Sequence, residues 1–266
     1  MSTVTLNGHP TWAHVSGGRR PALVLLHGGL SSSRSLRRSI GPRLSRRFAV
    51  SAFDRRGHGR TADTDEPFHY EAMAGETIAF LELLGRRAHL VGHSDGGVVA
   101  LLTARRRPDL VRRVVAVGAN FHYSGVASED NLTFDGPDFE EWAADFGRRS
   151  PDGVAHARAV ADKSLALFAS EPTLTTADLA QIATPTLVLV GDDDAVDLSH
   201  TLDLYLNLPD AQLAVVPGAS HGVLKERPKA CARLIARFLT QQLPPVTTQP
   251  RRRARPADPG PDGSAR

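Results

Sequence analysis

The chain has very little sulfur. Of 266 residues one is cysteine, Cys231, and two are methionine. A single cysteine excludes an intrachain disulfide and leaves no basis for a cysteine-built zinc site. No apolar run approaches the 18 residues that a membrane-crossing helix needs. The stretch Met1–Pro10 lacks a basic segment followed by an apolar one, so no secretory leader is read and the cytoplasm is the expected location. Aromatic residues are sparse at 6%, and no charge sign dominates: the net charge is +3. The hydrophobic fraction of 41% and charged fraction of 23% are those of an ordinary folded protein, and a chain this long buries enough apolar surface to need no covalent staple.

The small positive excess is local. From Gln241 onward five arginines (251, 252, 253, 255 and 266) face Asp258 and Asp262, a net +3, so the preceding 240 residues sum to zero. No basic patch on the folded body is implied, and nucleic acid is not an expected partner. Residues 244–266, rich in Pro, Gly and Arg and almost devoid of apolar side chains, are expected to be a disordered tail.

What is present is rhythm. Ala22–Leu26, Phe48–Phe53, Ala88–Val91, Val114–Val117, Thr186–Val190 and Gln212–Val216 are short apolar runs, each closed by Gly, Pro, Asp or His-Gly. Such runs read as strands buried on both faces. Helical patterns lie among them at Tyr70–Leu84, Gly96–Arg106, Ser199–Leu208 and Lys225–Gln242. Alternating strand and helix predicts an α/β fold with a mostly parallel, doubly wound sheet. The rhythm breaks between Ala119 and Ile182, where no strand is legible although 7 of the 15 aromatics fall there. A loop that long without structure is improbable. The expected organisation is therefore a core of residues 1–119 and 183–243 with a helical insertion, 120–182, over one end of the sheet.

The chemistry concentrates at strand ends. Gly92-His93-Ser94-Asp95-Gly96 is a G-x-S-x-G sequence between a strand and a helix, the context in which that motif forms a sharp turn presenting a serine nucleophile. Serine needs a base, and in this architecture the order is serine, acid, histidine. His221 follows the last strand. The acid belongs after the preceding strand, where Asp192, Asp193 and Asp194 compete; Asp194 is chosen because a turn is needed to carry the carboxylate from the strand tip to the histidine. Its role would be to hold the imidazole tautomer and stabilise the imidazolium. His27-Gly28-Gly29 reads as a loop held by His27, and Asp54–Gly59 as a structural loop tied by Asp54 and Arg56. No spacing of His and acids suggests a metal, and no cofactor is expected.

Together these residues resemble the α/β-hydrolase superfamily in its helical-cap branch, over residues 4–242. His27-Gly28-Gly29 is similar to the family's oxyanion loop. Asp54-x-Arg56-Gly57-x-Gly59-x-Thr61 is similar to its D-x-R-G-x-G-x-S loop, with Thr for Ser. Gly191-x-x-Asp194 matches its acid spacing and so supports Asp194. The resemblance implies that the backbone N–H groups of Gly29 and Asp95 form the oxyanion hole. A nearer resemblance, carried by Ser94-Asp95-Gly96-Gly97 and Gly118-Ala119-Asn120, is to valacyclovir-hydrolase-like and MhpC-like serine hydrolases. It implies that Asp95 anchors a substrate ammonium, which acids of the insertion (Glu129, Asp130, Asp135, Asp138, Glu140, Glu141 and Asp145) would reinforce. Phe121 and Trp142 are further candidate substrate contacts. Serine at the elbow sets the chain apart from the dehalogenases and epoxide hydrolases of this fold, which use aspartate there.

The expected function is hydrolysis of a small carboxylic ester or lactone through an acyl-enzyme, an α-amino-acid ester being one form. The alternatives are a biosynthetic tailoring hydrolase or cyclase acting on a C–C bond or polyketide, and a catalytically slow ligand receptor.

Overall fold

The computed structural model describes residues 2–126 and 134–242, together with positions 245, 248 and 249. The tail expected to be disordered lies, apart from those three positions, outside the described residues, as do Glu129 and Asp130.

The described chain opens with β1 (Ser2–Leu6) and β2 (His9–His14), then β3 (Ala22–Leu26), α1 (Ser33–Ser39), α2 (Gly41–Leu44) and β4 (Ala49–Phe53). There follow α3 (Tyr70–Leu84), β5 (Ala88–His93), α4 (Asp95–Arg106) and β6 (Val111–Val117). Between β6 and β7 (Thr186–Asp193) come α5 (Gly136–Gly147), α6 (Ala157–Ser170) and α7 (Thr176–Ala180), with 3₁₀ turns at Tyr123–Gly125 and Val154–His156. The chain continues through α8 (Leu198–Asn207), β8 (Ala211–Ser220), α9 (Val223–Glu226) and α10 (Pro228–Thr240).

The eight strands form one sheet in the order β1-β2-β4-β3-β5-β6-β7-β8. The pairings of β2 with β1 and with β4 are antiparallel; every other pairing is parallel. The six strands legible in the sequence are the parallel ones. All five residues of β3 are buried, because alternate side chains enter different cores. Val24 and Leu26 join α3, α4 and the insertion on one face, while Leu23 and Leu25 join α1, α2, α9 and α10 on the other.

Three expectations need correcting. The antiparallel pair β1–β2 was not among the expected strands, although its turn, Asn7-Gly8 with φ of 48° and 83°, is the residue pair that a tight hairpin favours. Alternation there is weak, since β1 is mostly exposed. The helix expected over Lys225–Gln242 is two helices, because Pro228 begins α10 and cannot continue the hydrogen-bond ladder of α9. Finally, the neutral charge sum conceals a segregated arrangement. An open groove of about 830 Å³ between α2 and α10 is lined by Arg43, Arg46, Arg47, Lys229, Arg233 and Arg237, with no carboxylate. A sum over the chain says nothing about placement, and Lys229, Arg233 and Arg237 recur every four residues and so share one helix face.

Candidate active site

The site lies at the C-terminal ends of the central strands, where β5 turns into α4. Ser94 sits at that turn with φ 54° and ψ −124°, a conformation that costs a non-glycine residue roughly 1–3 kcal/mol. Its neighbours make the turn sterically feasible. A Cβ on Gly92 would lie 1.9 Å from the carbonyl oxygen of Gly96, and one on Gly96 would lie 2.1 Å from that of Leu26. The Ser94 amide donates to the Val117 carbonyl of β6 at 2.8 Å, tying the turn to the neighbouring strand.

His221 arrives from the end of β8, and its Nε2 lies 3.1 Å from Ser94 Oγ. On the other side of the ring, Nδ1 meets Asp194 Oδ1 at 2.7 Å. The same carboxylate oxygen accepts the Val196 amide at 3.1 Å, and the Asp194 side chain is buried. Burial alone would raise the Asp194 carboxyl; the His221 ring and the Val196 and Gly191 amides outweigh it and hold the group below the usual carboxylate range. The other two aspartates of the run are elsewhere. Asp192 accepts the Ala219 amide, stitching β7 to β8, and Asp193 pairs with Ser220 in the sheet.

The loop after β3 closes the site from the side. A Cβ on Gly28 would come 3.2 Å from Ser94 Cβ, and one on Gly29 would meet Asp95 Oδ2 and the ring of Phe168 from α6. His27 is fully buried. Its Nδ1 donates to the Gly28 carbonyl at 2.7 Å, and its Nε2 accepts the Arg55 amide at 3.1 Å. Burial first, then Arg55 and His58, push its pKa well down, so the ring is neutral.

Arg55 was not singled out in the sequence. It is buried, and its guanidinium donates to the carbonyls of His27 (2.6 Å) and Gly28 (3.2 Å) and lies 3.7 Å from Asp95 Oδ2. Asp95 is buried in turn and accepts the Tyr70 hydroxyl at 3.1 Å. Burial raises the Asp95 carboxyl against the opposing pull of Arg55 and Tyr70. The side chain therefore faces into a buried guanidinium and a phenol. In the same loop Asp54 accepts the Ser33 and Arg60 amides, while Arg56 binds Thr64 and the Pro67 carbonyl.

Two further histidines matter. His93 Nε2 donates to the His221 carbonyl at 2.8 Å, and burial, then His221, hold its pKa near 4; a neutral ring thus fixes the backbone of the reacting residue. His200 stacks on Phe121 at 4.0 Å between ring centres and accepts the Phe121 amide, so Phe121 packs against α8. Trp142 sits among Phe134, Phe139 and Phe146 and donates from Nε1 to the Leu30 carbonyl at 2.6 Å, next along the chain from Gly29. Among the described residues no cluster of three or more His, Cys, Asp or Glu is gathered for a metal, and no helix is long and apolar enough to cross a membrane.

Comparison with known proteins agrees with this architecture. The model of the alpha/beta hydrolase family matches residues 23–234. A provisionally named carbamate hydrolase, RutD, of Pseudomonas savastanoi pv. phaseolicola is 32% identical over 246 residues, covering 84% of this chain and 95% of that protein. The serine hydrolase BPHL of Homo sapiens is 24% identical over 246 residues, 83% of this chain and 79% of that one. Among solved structures, the enol-lactonase of Burkholderia xenovorans superposes with a TM-score of 0.71 at 23% identity, covering 90% of this chain and 100% of the other, a likeness of fold.

Proposed function

This chain belongs to the alpha/beta hydrolase family and is a hydrolase; from that premise we propose that it cleaves a small carboxylic ester or lactone through an acyl-enzyme on Ser94. The observation that carries the reading is the unbroken chain Ser94 Oγ–His221–Asp194, at 3.1 and 2.7 Å, on a turn whose backbone is strained. His221 Nε2 takes the hydroxyl proton as Oγ attacks the carbonyl carbon. Asp194, buried and held ionised, keeps the proton on Nδ1 and stabilises the imidazolium. The oxyanion is received by the amides of Gly29 and Asp95, and loss of one such donor costs about 3–4 kcal/mol. His221 then protonates the leaving alcohol, and water attacking the ester of Ser94 with His221 as base releases the acid. The described parts of the insertion, 120–126 and 134–182, act in this reading as a cap, with Trp142 and Phe168 as its apolar contacts beside the Gly29–Leu30 loop.

An ammonium on the substrate has no part in this reading. Asp95 already faces Arg55 and Tyr70, so its charge is matched from within the protein. A second reading, supported by the 32% identity to the carbamate hydrolase relative, keeps the same steps but places nitrogen in the leaving group.

The test is steady-state hydrolysis of paired p-nitrophenyl esters with and without an α-amino group, alongside a small carbamate, using Ser94→Ala as blank. Turnover that falls about 10⁴-fold or more in Ser94→Ala is expected, without preference for the amino ester. Equal turnover by the variant defeats the mechanism. A carbamate preference selects the second reading.

A further inference from the structure

A cluster of unmatched charge lies outward from the loop after β3. A cavity of about 420 Å³ opens where Leu30 and Ser31 meet Trp142 of α5. It adjoins a second cavity of about 240 Å³, and the two share Ser32, Arg34, Arg38 and Arg149. Five arginines converge on the smaller one: Arg34, Arg37 and Arg38 on α1, Arg60 after β4, and Arg149 just beyond α5.

Compensation is partial: Arg149 is paired with Asp145, and Asp138 and Glu141 line the larger cavity, whereas the smaller one has a single carboxylate. The one carboxylate lining the smaller cavity, Asp54, already accepts two backbone amides. Asp145 is engaged by Arg148 and Arg149. Arg37 and Arg60 lie over the ring of Trp12, at 5.4 and 5.2 Å from its centre. Arg34 and Arg38 have no ion pair or hydrogen bond among the described residues; what reaches Arg34 is lost solvation and the repulsion of Arg38, Arg149 and Arg60, which lower its pKa against a weaker pull from Asp145. Arg34, Arg37 and Arg149 are half-buried and Arg38 and Arg60 exposed, and all five line one cavity walled by Trp12; planar guanidinium groups so gathered match an oxyanion bidentately.

We propose that this cavity binds a carboxylate or phosphate group, with Arg34 and Arg38 as direct ligands and Arg37, Arg60 and Arg149 supplying the surrounding field. Two sources share that chemistry. One is an acidic group at the far end of the substrate, reaching from Ser94 past Leu30 and Ser32, which rests on the ester-hydrolase reading above. The other is a free inorganic anion. Because Arg149 follows α5 while the other four arginines belong to the core, either one would join the insertion to the core.

Two measurements separate these cases. Calorimetric titration of full-length Ser94→Ala with inorganic phosphate reads the cavity without any turnover. Kinetics of the wild type compare the p-nitrophenyl monoester of a dicarboxylic acid with a neutral p-nitrophenyl ester of the same length. For a substrate acid, kcat/KM favours the acidic ester at least tenfold through KM, and Arg34→Gln with Arg38→Gln reduces that ratio at least tenfold. Phosphate binding that is lost in the same double substitution, without any kinetic preference, also supports the cavity and assigns it to a free anion. No phosphate binding, together with an acid-to-neutral ratio unmoved by the double substitution, overturns the proposal. Failure to hydrolyse either ester would count against the serine mechanism and leave the calorimetry to judge the cavity.

Discussion

The two sides of the site are held by different forces. Beneath Ser94 the structure is backbone against backbone: two glycines allow contacts that no side chain would permit, parallel strands supply the hydrogen bonds, and a buried arginine clamps two carbonyls of the neighbouring loop. Above it, much of the attachment of the insertion to the core runs through side-chain charge. Asp63, in the loop after β4, is engaged by Lys163 Nζ and His156 Nε2, each at 2.8 Å, while its amide donates to Asp152. Glu171 accepts from His69 Nδ1 at 2.6 Å and from the Tyr70 amide at 3.0 Å. The floor is held by steric exclusion, whereas the roof is fastened by ion pairs: those of Asp63 join a buried carboxylate to partly exposed cations, and that of Glu171 with His69 is partly exposed on both sides and weak.

Replacing Arg55 by Met should break the floor most severely. It leaves the Asp95 carboxylate buried with only Tyr70 and frees the carbonyls of His27 and Gly28. Removing one partner of a buried pair costs about 3–5 kcal/mol, a fall in Tm of about 10 °C for a chain of this size. Adding Asp95→Asn removes the orphaned charge and should restore most of the stability, but not the kcat/KM lost with the loop clamp. Recovery of both would show that Arg55 acts through charge alone.

Acid should weaken the floor next. Burial holds His58 near 3 and His89 and His93 near 4, and drives His27 well down; the further depressing charges are Arg55 for His27 and His58, Arg113 for His89 and His221 for His93. Folded pKa values below the ordinary value near 6.5 mean that the unfolded chain binds protons first as pH falls. Their contribution is therefore intact above about pH 6.5 and is lost progressively as pH falls from there, through about 4 for His89 and His93 and about 3 for His58. Thermal melts should lose about 10 °C or more between pH 7 and 4.5; a flat profile would show that these rings are not held neutral.

The smallest effect belongs to the roof. Glu171→Gln, at a pair whose two partners are both partly exposed, should cost about 1 kcal/mol of global stability, yet raise the rate of limited proteolysis within residues 134–182 several-fold while β3–β6 stay resistant. Uniform destabilisation of both regions would erase the distinction.

The same contrast governs what the sequence reveals. Steric requirements leave local signatures, so the six parallel strands and the Gly92–Gly96 turn are legible as apolar runs closed by glycine. Ser94, His221 and Asp194 stand out because strand ends are countable along the chain, and the structure brings their side chains into hydrogen-bond contact. Long-range charge leaves no such mark. Arg55 looks like one more arginine in a loop, and nothing local distinguishes it from Arg56, although one is buried and the other reaches Thr64 and Pro67. His93 occupies the variable position of its motif, and its bond to the His221 carbonyl spans 128 residues. The basic groove on α2 and α10 and the arginine cavity on α1 both escape a charge sum, because a sum discards position.

The proposed mechanism turns on acylation of Ser94 with His221 as its base. The direct measurement is intact-protein mass spectrometry, with peptide mapping, of the wild type and of His221→Ala after rapid quenching from a p-nitrophenyl ester. Expected is an acyl adduct on the peptide bearing Ser94 in the wild type, formed in a burst with p-nitrophenol release, and little or none in His221→Ala on the same timescale. An adduct on another residue, or acylation of Ser94 at the same rate without His221, would contradict it.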